Sequence, residues 1–234
     1  VMAYLFLKAQ GLAGKPVADI RIDGAGKKVT RSDNCRVSDL SVSSDNLTFT
    51  YEAKSLPYPI DTSYYDNEKH TQADALSVIP FMDEMNYEGL SVSGLSDGYY
   101  GLTIGGEFIG RFTARELERG INMALLQNTP QYKQAMKIRQ MNEERWLKER
   151  KMREFYWVEY NLMRKTGMLW ACNEAAVDTL RKYRPHDIFL QWNGALWLQY
   201  MHKGIREDCV NEQQDLVNQI YEQNKPIPLQ IEIK

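Results

Sequence analysis

This chain has few of the residues that do chemistry. Its three cysteines, Cys35, Cys172 and Cys209, are scattered over 234 residues and form no C-x-x-C pair. An odd, widely spaced set specifies neither a disulfide framework nor a metal site, so buried inert thiols are expected. The three histidines, His70, His186 and His202, sit at no i,i+4 spacing from one another or from a cysteine, and no H-E-x-x-H occurs. No metal and no cofactor is expected from such a set. With 29 Lys and Arg against 31 Asp and Glu the formal net charge is −2. The basic excess that marks a nucleic-acid binder is missing. No apolar run approaches the roughly 20 residues that span a bilayer. No internal repeat or low-complexity stretch is visible.

The remaining composition is ordinary for a globular protein, with a hydrophobic fraction of 43% and a charged fraction of 26%. The first residues place Met2, Leu5, Phe6, Ala9 and Leu12 at helical spacing, with Gly11 and Gly14 as stops. A helix that starts at residue 1 without an N-cap reads either as one cut from a longer chain, whose apolar face calls for a partner, or as a short helix docking on this chain's own core. From Val17 to about Phe112 the texture is β, with alternating runs at 17–23, 35–42 and 47–51 and turn residues between them. Ser43-Ser44-Asp45-Asn46 is one such turn, and Leu56-Pro57-Tyr58-Pro59 ends the strand pattern. Residues 61–72, with Tyr64 and Tyr65, read as a polar surface loop. Short strands separated by turns favour an antiparallel sandwich.

The stretch 89–125 is where the β texture hands over to helix. Tyr99–Ile104 and Glu107–Phe112 flank Gly105-Gly106, a two-residue hairpin turn that needs positive φ. The simple register pairs Leu102 with Ile109, Tyr99 with Phe112, Thr103 with Phe108 and Gly101 with Gly110. Facing glycines would let another element approach the backbone. Thr113-Ala114-Arg115-Glu116 is a capping box, stapled by Phe112 and Leu117. Beyond it, 130–165 has no Pro or Gly after Pro130, and its middle, 142–151, is charged nearly all round. That combination suits a helix protruding into solvent. Further helices are expected at 169–183, 187–202 and 208–223, and LQIEI at 229–233 reads as a terminal strand.

These residues carry a resemblance. The run Gly105-Gly106-Glu107-Phe108-Ile109-Gly110-Arg111-Phe112 with Thr113-Ala114-Arg115-Glu116-Leu117, then Gly120-Ile121-Asn122-Met123-Ala124, Thr129-Pro130 and Gln134-Ala135, resembles the C-terminal portion of bacterial SGNH hydrolases, the GDSL-like lipase and acylhydrolase group. Gly94-Leu95 and Leu56-Pro57-Tyr58-Pro59 fit the same pattern, and Val1-Met2-Ala3-Tyr4 resembles the helix after that family's Asp-x-x-His block. The resemblance implies a parent that deacylates an ester, plausibly on carbohydrate, and a periplasmic or secreted location. It also implies that the serine, glycine, asparagine and Asp-His blocks lie upstream of Val1, so no catalytic residue is carried over. Asn122 falls in a scaffold motif.

Other candidates are weighed on the residues themselves. Gly94-Leu95-Ser96-Asp97-Gly98 matches G-x-S-x-G, but it lies between two strands and Asp97-Gly98 is a turn signal, so Ser96 reads as a turn residue. Cys172 with His186 is an arithmetical pairing that nothing orients. His186-Asp187 opens a helix, where Asp187 suits the helix terminus. Trp192, Asn193 and Trp197 would suit sugar stacking or a protein partner if exposed, and core packing if not. Trp146, in the charged middle of the long helix, is the clearest candidate for an outside contact.

The expectation is therefore an α+β chain: an antiparallel β-sandwich-like domain followed by a helical region with a long helical hairpin arm. Its parts are a remnant helix at 1–14, a β-rich domain at 15–112 and a helical region with terminal strand at 113–234. The partner is an upstream catalytic domain of the same parent chain, and the arm offers a surface for a homo-oligomer. The alternative is a stand-alone glycan- or protein-binding module.

Overall fold

The structure, a computed structural model, describes residues 1–43, 46–62 and 71–234. Ser44, Asp45, Tyr64, Tyr65 and His70, with most of the polar 61–72 stretch, lie outside the described residues. The chain forms two compact units, residues 1–138 with 223–234, and residues 139–222. In chain order the helices are α1 (Met2–Ala9), α2 (Phe81–Glu84), α3 (Ala114–Arg119), α4 (Pro130–Val158), α5 (Glu174–Tyr183), α6 (Ile188–Tyr200) and α7 (Lys203–Gln223). The strands are β1 (Ala18–Asp23), β2 (Lys28–Asp33), β3 (Cys35–Val42), β4 (Leu47–Ala53), β5 (Glu88–Ser93), β6 (Tyr99–Ile104), β7 (Glu107–Thr113), β8 (Ile121–Asn122) and β9 (Leu229–Ile233). The α+β expectation holds.

In the first unit, a four-stranded sheet of order β2-β1-β5-β8 and a five-stranded sheet of order β3-β4-β9-β6-β7 share one core. All neighbours are antiparallel except β1 with β5. Alternation decides which residues point inward: Leu47, Phe49 and Tyr51 of β4 and Leu229, Ile231 and Ile233 of β9 are buried while their neighbours are not. The terminal LQIEI run is the middle strand of its sheet. It pairs with β4 on one side and β6 on the other.

The β6–β7 hairpin turns at Gly105 and Gly106 with φ of 59° and 83°, the positive pair that a type I′ turn demands. Its register departs from the simple one. Thr103 faces Phe108 and Ile104 faces Glu107, but a bulge then shifts Leu102 opposite Gly110, Gly101 opposite Arg111 and Tyr99 opposite Thr113. The extra residue is Ile109, which the bulge leaves in the core. The close approach at Gly101 is real. Its N–H donates to the Lys234 carbonyl at 2.6 Å, and a side chain there would press on the Phe108 ring at 3.3 Å. Thr113 caps α3 as its sequence specifies, with Glu116 answering to the Thr113 N–H at 2.7 Å.

A buried polar cluster joins the sheets to α4. The Glu88 carboxyl on β5 accepts from the Tyr51 hydroxyl on β4 at 2.8 Å and from the Gln131 amide on α4 at 3.3 Å. Asn122 accepts from the Glu88 and Ala124 N–H groups and donates to the Met82 and Asn86 carbonyls. Asn86, wholly buried, both accepts from and donates to the Tyr58 backbone. Two amides thus satisfy six backbone groups that a short, irregular segment could not pair by itself.

The second unit is helical. The α-helix α4, whose residues 130–138 belong to the first unit, ends at Val158 and passes into a π-helical turn over Glu159–Met163. Glu159 is 1% exposed. Its carboxylate accepts from the Trp197 indole at 2.7 Å and from the Trp170 backbone N–H at 2.8 Å. Trp170 sits at φ 63°, an uncommon backbone for a bulky residue, and its bond to Glu159 holds it there. Helix α5 begins at Glu174, five residues after the expected 169, because Asn173 caps it through Ala176 N–H. Asp187 caps α6 by accepting from Phe189 and Leu190 N–H. Helix α7 starts at Lys203, ahead of the expected 208, and meets α4 through Lys148 with Glu212 at 2.7 Å.

Burial raises the Glu88 carboxyl from its ordinary 4.5 to about 7, against the opposing pull of Tyr51 and Gln131. Between those values the folded chain holds a proton that the unfolded chain has released. Stability therefore falls as pH rises through that window and levels off above it, by on the order of 3 kcal/mol. Glu88→Gln keeps an acceptor for Tyr51 and removes the titration. Urea midpoints measured from about pH 5 to about pH 8 should lose this downward trend in the variant. An unchanged trend would mean that another group is responsible.

Candidate functional site

The aromatic residues singled out from sequence separate into core and surface. Trp197 on α6 is wholly buried, its indole N–H spent on Glu159. Trp192, five residues earlier, is 66% exposed. It stacks edge-on to Phe189 at 5.6 Å, and Phe189 lies 5.3 Å from Trp157 of α4. The helical unit thus presents a row Trp157–Phe189–Trp192. Asn193 is half-buried beside it. Gly194 on the inner side of α6 has a packing reason: a side chain there would meet Arg184 at 3.2 Å.

Next to this row is a cleft of about 440 Å³, lined by Trp157, Asn161, Lys165, Tyr183, His186 and Leu190 among others. Asn161 is occupied by the Trp157 carbonyl. Lys165 and His186 have no ion partner among the described residues. The cleft sets aromatic walls beside a lysine, a histidine and the Asp187 carboxylate. Sequence spacing exposes Phe189 and Trp192 as an i,i+3 pair, but Trp157 comes from a helix more than thirty residues earlier and no local signal links it to them.

Trp146 is 46% exposed on α4, with the Arg150 and Arg153 guanidinium groups each 5.8 Å from its ring. Cys172 meets His202, not His186, with Sγ 3.4 Å from Nδ1. No carboxylate lies in hydrogen-bond reach of that imidazole among the described residues. Cys35 and Cys209 are buried. Ser96 lies in the exposed β5–β6 turn, where its carbonyl accepts from the Tyr100 hydroxyl. No group of three or more potential metal ligands occurs among the described residues.

The first unit has a different surface. One side of α1 is docked: Tyr4 is buried and donates to Glu84 at 2.6 Å, and Lys8 pairs with the same carboxylate. The hydrogen bond from Lys8 holds the Glu84 carboxyl below the usual range. The other side is bare, with Met2 85%, Leu5 55% and Phe6 63% exposed. Among the described residues no helix is long and apolar enough to cross a membrane.

Comparison with known proteins corrects the family reading. Residues 136–225, which contain the whole helical unit, match the family model described as diltiazem deacetylase C-terminal helical domain. The full chain superposes on a solved gut microbial diltiazem-metabolizing enzyme with a TM-score of 0.93 and 38% sequence identity. It covers 100% of this chain and 53% of that one, so the chain spans about half the length of the structure it matches. No curated protein matches. The resemblance to SGNH and GDSL-like hydrolases is not supported. The matched motifs are turn, cap and amide-bridge residues such as Gly105-Gly106, Thr113 and Asn122, which serve a scaffold and carry no chemistry of that group.

The two α6 tryptophans give contrasting expectations. Trp197→Ala empties a core position and strips Glu159 of a donor, and should cost about 3–5 kcal/mol. Trp192→Ala should change stability by no more than about 0.5 kcal/mol. Urea denaturation of both variants decides whether the exposed ring is free of structural duty.

Proposed function

We propose that this chain is the accessory, non-catalytic C-terminal part of an esterase-like enzyme related to the diltiazem-metabolizing enzyme. The observation that carries this reading is the match of the entire chain to about half of that enzyme at 38% identity. The description of the helical unit's family as a deacetylase's C-terminal domain supports it. So does the site chemistry: among the described residues Ser96 has no base beside it, and the Cys172–His202 pair has no orienting acid. In this reading the bare apolar side of α1 packs on the catalytic part, where it would bury Met2, Leu5 and Phe6. The helical unit then supplies the aromatic row and cleft, with Trp192, Asn193 and Trp146 at the contact surface and Trp197 as its internal support. A second copy of the chain is a further candidate partner for the α4 surface.

Two measurements test this. In the chain by itself, Met2, Leu5 and Phe6 are exposed, so replacing all three by Ser should leave the thermal midpoint nearly unchanged. Fusing the unmatched half of the diltiazem-metabolizing enzyme ahead of Val1 should raise that midpoint by roughly 5 °C or more, and the triple replacement should remove the gain. A fused chain that melts no higher than the free one would contradict the α1 contact.

A further inference from the structure

In the first unit, α1, the 56–60 segment and the turn at Gln72–Ser77 line a half-open pocket of about 220 Å³, with Tyr58 at its exposed rim. Its walls are almost entirely apolar, formed chiefly by Tyr4, Leu7, Tyr58, Ile60, Leu76 and Phe81. They are held in place independently of any occupant. Tyr4 is fixed by Glu84, and Tyr58 meets Phe81 edge-on at 5.7 Å. One polar atom stands out in this wall. The Tyr58 hydroxyl accepts from the Gln72 side-chain amide at 2.9 Å, and Gln72 is in turn anchored by the Asp61 N–H at 3.0 Å. The hydroxyl proton has no acceptor among the described residues.

We propose that this cavity is a binding site for a compact aromatic ring carrying one hydrogen-bond acceptor, a carbonyl or ether oxygen. Size selects the ring, since an apolar cavity of roughly 150 Å³ holds a benzene and this one leaves room for a short substituent. It is too small for a helix or an extended peptide. The apolar walls favour a ring over water, which would gain few hydrogen bonds against them. Tyr58 selects the acceptor: its accepting lone pair is already used by Gln72, so the group it has left to offer is a donor. The inference goes beyond the esterase reading and does not depend on it, because both the site and its test involve this chain alone.

The probe pair is acetophenone and ethylbenzene, which share the ring and differ at the acceptor oxygen. Ligand-observed NMR titration should show saturable binding of both, with acetophenone the tighter. Leu76→Trp, which fills the cavity, should weaken both at least tenfold. Tyr58→Phe should weaken acetophenone about fivefold, the worth of one neutral hydrogen bond, and leave ethylbenzene unchanged. Both variants are to retain the wild-type melting profile. Tyr58→Phe, which adds no volume, carries the test if the tryptophan does not fold. Absence of saturable binding, or equal effects of Tyr58→Phe on both probes, overturns the proposal.

Discussion

The Glu88 carboxyl is the point on which the first unit turns. It lies in the shared core of two sheets, where a charge is costly, and it touches one hydroxyl from β4 and one amide from α4. Those three elements could each satisfy their own backbones without it. What the carboxyl adds is a fixed relation among them, since an aliphatic side chain would fill the same space without naming its partners. The cost shows in the raised affinity for a proton, and in the buried Gln131 side-chain oxygen, which has no hydrogen-bond partner among the described residues. Around it Asn86 and Asn122 hold the irregular backbone from 82 to 88 with side-chain bonds where no ladder is available. The second unit repeats the device with Glu159, whose carboxylate ties two tryptophans to a π-helical turn.

These buried acids mark the limit of what the sequence showed. Alternation placed β1, β3, β4 and β9 but gave no sign of β2 or β8, and the Gly-Gly turn and the Thr113 box were legible residue by residue. All of these are local signals with a period or a fixed spacing. The bulge at Ile109 was not legible, because it settles a contest between two registers that only the completed core can judge. Glu88 and Glu159 were not legible either. A lone acid in an apolar stretch looks the same whether its partners are thirty-eight residues away or absent. The central position of β9 likewise depends on edges offered by β4 and β6, of which the final ten residues carry no record.

The candidate sites divide along the same line. Helical spacing identified α6 as aromatic but could not say which ring faced out, and the answer, Trp192 outside and Trp197 inside, came from the neighbours that α4 and the π turn supply. The family reading failed for a related reason. Its motifs were those of turns, caps and backbone-bridging amides, and such residues recur wherever a strand region passes into a helix. Likeness in scaffold residues measures local geometry and says little about chemistry located elsewhere. The likeness that spans the whole chain, to about half of a diltiazem-metabolizing enzyme, draws on the core as well. Its weight is correspondingly greater.

In the proposed reading, this chain supports chemistry that it does not perform. The most direct test is the intact mass of the 234-residue chain before and after exposure to a fluorophosphonate serine probe, alongside the diltiazem-metabolizing enzyme under the same conditions. The account predicts an unchanged mass for the chain. A stoichiometric adduct on the folded chain would show an activated serine within it, and the accessory role would have to be abandoned.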